Sequence, residues 1–411
     1  MILTTRRRSK PARELQLTAR TPPNPMEELS EEMIMEIFLR LPVKTLSCMK
    51  SVCRSWRTLI SNPDFTLNHF RRSSLRDPTL TPPRIAYDYS IYQPHDDNFC
   101  GIGVLSVQSL TKVAHFRGQS YYLIVGSCHG LLCLFDFDGS YALMRAILWN
   151  PCTGFTFQSP QIRRYANFCG FGYDHLSDTY KFCGITRKLG PSGFVNIGRI
   201  YTFEPNSSWR IIDDIPIDED ISMADNLKGV YFGSSRECTL NWSFFHVVYY
   251  FDLGKETYGH FALPDRDSEH YIPCVYTTLC VLRECLCVCY GSSHQISQHW
   301  ILWQMKEYGN PQSWTKLATI PFNYGNFARS LNKPHIISES DVLLLIIYPG
   351  IKVVLYNLND GSLGDFPAID GFPDLIEKSS YVNFYIYYES LASPSGLQSN
   401  SSKMLLPFIK P

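Results

Sequence analysis

The nearest approach to a catalytic signature in this 411-residue chain is Gly126-Ser127-Cys128-His129-Gly130, which sets Cys128 where a nucleophile elbow carries its nucleophile, with His129 adjacent. An elbow works only at a sharp turn from a strand into a helix. Here Leu131 to Phe135 reads as a second strand, so the expectation is a turn between strands and no nucleophilic catalysis. Pairing of Cys128 with His129 in a cleft would favour an enzyme, whereas burial of Cys128 would end that reading. Four thiols, Cys280, Cys285, Cys287 and Cys289, raise the question of zinc. The last three alternate within an apolar strand and lack knuckle spacing, so they are expected to be core thiols with no metal. Gly170-Phe171-Gly172 is too short for a dinucleotide fingerprint and precedes no helix, so no phosphate site and no cofactor is expected. The triplets starting at Asn206, Asn241 and Asn400 read as chance glycosylation matches.

The elements that would hold these residues fall into two regimes. From Ser30, a good N-cap, Glu31 and Glu32 favour a helix start, and Ile34, Ile37, Phe38 and Leu41 share one face until Pro42. A second short helix is expected from Val43 through Leu46 to Met49, and a third over Val52, Trp56, Leu59 and Ile60 before Asn62-Pro63. Three helices in so short a stretch bury little surface alone, so the unit should lean on a partner or on the rest of the chain. Beyond Pro83 the helical period gives way to short runs of Val, Ile, Tyr and Phe between turn residues, which is a β pattern.

An aromatic hairpin motif recurs about every 50 residues, at Leu148-Trp149-Asn150, Ile200-Tyr201-Thr202, Tyr250-Phe251-Asp252, Leu302-Trp303-Gln304 and Leu355-Tyr356-Asn357. In each copy a strand ends, a turn follows, and a second strand runs toward Pro160, Pro216, Pro264, Pro321 or Pro367. Asn150 with Gly154, and Asn357 with Gly361, have the side chain and the positive φ that such a turn needs. Two outgoing strands share Ser-Trp, at Ser208-Trp209 and Ser313-Trp314. A propeller-like ring of blades buries the faces and protects the edges of such sheets; a β-sandwich pair is the alternative. The fold class is therefore α+β multidomain, a small three-helix unit followed by an all-β propeller-like domain.

Composition narrows the function classes. Lys plus Arg and Asp plus Glu each number 38, so net charge gives no reason to expect nucleic acid or an anionic membrane as partner. The longest apolar run, Val342 to Tyr348, falls far short of the roughly 20 residues that span a bilayer. Fourteen cysteines spread through a large chain with no opening signal peptide read as free thiols in a reducing compartment. Residues 1–25 carry Arg6, Arg7, Arg8, Lys10, Arg13 and Arg20 against Glu14 alone, the composition of a solvated arm or of an import or transit signal.

The stretch from Met26, MEELSEEMIMEIFLRLPVKTLSCMKSVCRSWRTLISNPDF, resembles an F-box throughout, most specifically at Leu41-Pro42-Val43-Lys44, Val52-Cys53-Arg54-Ser55-Trp56-Arg57 and Ile60-Ser61-Asn62-Pro63-Asp64-Phe65. It departs where Leu29 is followed by Ser30 in place of the family's Leu-Pro. The β region is similar to the F-box-associated, kelch-like domain of plant F-box proteins. The segments that carry this are Gly126 to Cys133, Trp149-Asn150-Pro151-Cys152-Thr153-Gly154, Gly170 to Asp174 with Asp178-Thr179-Tyr180-Lys181, and Trp303 to Tyr308 with Ser313 to Lys316. The implied layout is a basic disordered tail over 1–25, an F-box over 26–70, a linker over 71–84, the ring over 85–390 and a disordered tail over 391–411.

The resemblance implies a non-catalytic substrate receptor of an SCF-type ubiquitin ligase in the nucleus and/or cytoplasm. Its F-box would bind a Skp adaptor, and through it cullin and RING subunits, while the ring holds a target protein. It places Leu29, Leu41, Pro42, Val43, Leu46, Val52 and Trp56 at the adaptor interface and leaves Ile34 and Phe38 to the module's own core. The target-binding residues are not readable, because loops carry specificity without a transferable code. The rival from another class is a ring that recognises a small molecule or glycan, with a passive F-box.

Overall fold

In the computed structural model, helices α1 (Glu31–Phe38), α2 (Val43–Met49) and α3 (Arg54–Ile60) form where the sequence period places them. The structure describes residues 29–76, 84–91, 99–106, 112–117, 121–137, 143–163, 166, 168–190, 193–212, 227–234, 236–244, 246–264, 277–293, 298–321, 342–347, 352–365, 381–394 and 397. The basic segment 1–25 and the three residues after it, residues 77–83 and most of 391–411 lie outside them, as do Pro216, Pro367 and Asn400. Ser30 caps α1 by accepting from the Met33 amide at 3.3 Å. Pro42 sits at the N-cap of α2, where a missing N–H costs nothing. A fourth helix, α4 (Pro63–Arg76), is not announced by the helical period; it runs into the stretch expected as a linker, and Asn62 caps it through the Asp64 amide at 2.8 Å.

Among the described residues six sheets follow, antiparallel except for one added strand. The second blade is Tyr121–Cys128, Leu131–Phe137, Met144–Trp149 and Thr156–Gln158; the third is Phe168–Asp174, Thr179–Gly190, Gly193–Thr202 and Arg210–Ile212, joined in parallel by Leu227–Lys228. The fourth is Val230–Gly233, Cys238–Phe244, Val247–Asp252 and Thr257–Ala262; the fifth is Thr277–Leu282, Cys285–Ser293, Gln298–Met305 and Trp314–Pro321. The sixth shows Val342–Ile347, Lys352–Asn357 and Leu363–Asp365. The first blade is composite: Arg84–Ile91, Phe99–Ser106 and Lys112–Arg117 are completed by Tyr381–Tyr387, which pairs with Arg84–Ile91 from the other end of the chain. This closure is the propeller solution, and the sandwich pair, which needs two stacked sheets, does not describe it.

From the second blade to the sixth, every copy of the aromatic motif lies at the end of the strand before the outermost one. The turns behave as their residues require. Asn150 Oδ1 accepts from the amides of Cys152 and Thr153, and Gly154 takes φ +74°. Asn357 repeats this with the Asn359 amide and Gly361 at φ +71°. The two Ser-Trp strands staple neighbours: Trp209 Nε1 donates to the Pro160 carbonyl at 2.7 Å, and Trp314 Nε1 to that of Ala262 at 3.1 Å. Gly170 has a packing role, since a Cβ there would stand 2.9 Å from Leu240 Cδ1 of the fourth blade. Among the described residues no helix is long and apolar enough to cross a membrane.

Candidate docking surface and its seam with the ring

Two apolar sets emerge from the helical unit, one enclosed and one left in solvent. The first is a core of Phe38, Val43, Leu46, Ile60 and Phe65, with Trp56 edge-on to Phe38 at 5.0 Å between ring centroids. Val43 and Leu46 are fully enclosed, so these two expected interface residues serve the module's own packing in this structure. Leu29, Leu41 and Trp56 are half-buried. The second set stays in solvent: Val52 is 64% exposed, Met33 54% and Ile37 46%, with Pro42 also exposed. Exposed apolar side chains are the kind of surface that a protein partner can cover. Of the seven residues expected at the interface, Pro42 and Val52 stand open, and Met33 and Ile37 join them from outside that set.

α4 carries the unit onto the ring. On one side the His69 Nε2 bonds the Leu41 carbonyl at 2.8 Å, and Arg72 reaches Glu36 at 3.1 Å. On the other, Phe70 packs edge-on against His129, the residue after Cys128, with 5.5 Å between centroids. Cys152 and Leu391 from the ring join the helical core directly. Thus Leu391 is buried in the stretch expected to be a disordered tail because the seam takes it out of water, and Ala392 and Leu397 are buried there by the core of the second and third blades.

His129 occupies a left-handed turn at φ +49° and shares a hydrogen bond with the Tyr180 hydroxyl at 3.2 Å. Cys128 beside it is 5% exposed, burial pushes its thiol far up, and a strand follows at once in the register Cys128↔Leu131. This geometry lacks both the thiolate and the strand-to-helix turn of an elbow. Cys285, Cys287 and Cys289 likewise sit in one strand opposite the Cys280 strand, as free thiols, and no metal-holding group of His, Cys, Asp or Glu occurs among the described residues.

Burial, with Arg71 nearby, holds the His129 imidazole down to about 4 from 6.5, although Asp178 works the other way. A histidine depressed in the fold stabilises it fully above its unfolded value. That stability is lost progressively as pH falls from 6.5 to about 4, by up to about 3 kcal/mol. Unfolding followed across this window should therefore show weakening, and His129→Gln should flatten the slope; an unchanged slope would remove His129 as its cause.

The chain has relatives among known proteins. The model for the F-box domain matches residues 26–68, and that for the F-box associated beta propeller domain matches residues 102–362. The chain belongs to the F-box proteins. It is 30% identical over 389 residues to the F-box/kelch-repeat protein At3g23880 of Arabidopsis thaliana, covering 89% of this chain and 96% of that one. F-box protein CPR1 of the same plant is 23% identical, with 81% of this chain and 83% of that one covered. Family membership implies that this F-box docks on a Skp-type adaptor as in SCF complexes, and F-box proteins are generally adaptors without catalysis of their own.

Proposed function

We propose that the chain is the substrate-recognition subunit of an SCF-type cullin-RING ubiquitin ligase, working in the nucleus and/or cytoplasm. The observation that carries this reading is an F-box packed into the ring's face while Met33, Ile37, Pro42 and Val52 remain uncovered. In this reading those side chains meet the Skp adaptor, and the adaptor brings cullin and RING subunits. The ring binds a target protein, and holding it beside the charged ubiquitin enzyme raises its effective concentration without any chemistry by the receptor. The rival reading, a ring for a small molecule or glycan, has a foothold in the cleft of about 260 Å³ between α4 and the third blade, lined by Phe70, His129, Tyr173 and Tyr180.

Proximity labelling should compare the intact chain with an Ile37→Asp variant. Adaptor, cullin and RING subunits are expected with the intact chain alone, and target proteins should accumulate with the variant. Identical partners and identical protein lifetimes would overturn the ligase reading.

A further inference from the structure

The core of the F-box is completed by a residue from the far end of the chain. Leu391 is 2% exposed and lies among Phe38, Val43, Leu46, Ile60 and Phe65. It follows closely on the strand that closes the ring, whose Tyr387 pairs with Arg84. Between strand and Leu391, Arg84 holds Glu389 at 2.8 Å in a pair with little exposure on either side.

Asn150 then clamps the residues that flank Leu391. Its Nδ2 donates to the Ser390 carbonyl at 3.0 Å and to the Ala392 carbonyl at 2.9 Å, while its Oδ1 is taken by its own turn. The amide is fully buried and both of its ends are used, so it fixes where Leu391 points. Ala392 and Leu397 continue into the core of the second and third blades. Gly130, at φ +73°, leaves room for this passage, since any Cβ there would strike Ser390 and the Tyr388 carbonyl.

We propose that the segment 390–394, together with Leu397, locks the F-box to the ring once the closing strand is in place, with Leu391 and Asn150 as positioning residues for the docked adaptor. A chain whose last strand has not paired lacks Leu391 in its F-box core. Docking geometry is thereby tied to completion of the recognition domain. The lock itself rests on packing; its consequence for ubiquitin transfer rests on the receptor reading above.

The test uses the intact chain with Leu391→Ala, Leu391→Met and Asn150→Ala. Amide hydrogen exchange is followed in α1 to α3 and in the blades. Distance distributions are measured between spin labels on non-canonical residues placed at Arg54 and Lys316, both exposed. Leu391→Ala and Asn150→Ala should speed exchange in the three helices at least tenfold and broaden the distribution, with the third to fifth blades still protected. Leu391→Met should restore both. Unchanged exchange and distances, or protection lost evenly through the ring, would overturn the lock. Adaptor binding is measured separately: an intact chain that binds no adaptor would defeat the receptor reading and leave the exchange result standing.

Discussion

Replacing Ile37 or Val52 with aspartate is expected to weaken binding to a Skp-type adaptor at least a hundredfold while leaving the thermal unfolding of the chain unchanged. A hundredfold loss is about 2.8 kcal/mol. A carboxylate forced into an apolar contact without a partner costs that much or more, so one substitution suffices. The fold should not notice, because Ile37 is 46% and Val52 64% exposed in the unbound chain. Titration calorimetry with the purified adaptor gives the affinity and calorimetric scanning gives the stability. Adaptor binding at the unsubstituted level in both variants would show that this surface is not the docking face.

The same measurement on Leu46→Asp would teach something else. Leu46 is wholly enclosed in the F-box core, which Leu391 and Cys152 of the ring complete, so aspartate there should unfold the module and lose binding indirectly. Val43 shares this position. Binding loss is informative about contact only for side chains that the free chain leaves in water.

How much of this was legible follows from which signals are local. The N-cap at Ser30, the Pro42 break and the Asn-Gly turns depend on neighbours within a few residues, and each was readable. Five blades announced themselves by an aromatic motif at the end of the strand before the outermost one. The first blade did not, because its equivalent strand is Phe99–Ser106, which lacks the motif, and one of its strands arrives from Tyr381–Tyr387. Long-range pairing of that kind leaves no periodic trace. The division of the F-box stripe into core and open surface was equally hidden, since Met33, Ile34, Met35, Ile37 and Phe38 wrap much of one helix. Their number was itself a signal: three short helices cannot enclose that many apolar side chains, and the surplus stays exposed in the unbound chain. Leu391 had no local signature at all, because its burial depends on the ring having closed beneath it.

Lys181 should be the most costly single charge to remove from the ring. Its ammonium bridges two blades, 2.9 Å from Asp174 of its own hairpin and 3.2 Å from Glu256 of the fourth blade, and it donates to the Leu253 carbonyl at 2.8 Å. Lys181→Met keeps the stem and deletes the charge, which leaves Asp174 enclosed without its cation, so destabilisation of about 3–5 kcal/mol is expected. Lys255→Met is the control: that lysine also pairs with an aspartate, Asp252 at 3.0 Å, but stands in solvent and should matter little. The pH dependence separates charge from packing. Burial opposes ionisation of Asp174, yet bonds from Ser177 and Lys181 prevail and hold its carboxyl below the ordinary 3.8; Arg210 foremost, with Lys181, holds Glu256 below 4.5 despite burial. Carboxylates depressed in the fold contribute fully above their unfolded values and lose that contribution as pH falls through the folded ones. The stability gap between the intact chain and Lys181→Met should therefore hold above about pH 4.5 and narrow as acid protonates the pair. A gap that stays constant down to about pH 3 would assign the loss to packing of the lysine stem and not to the charge it carries between the blades.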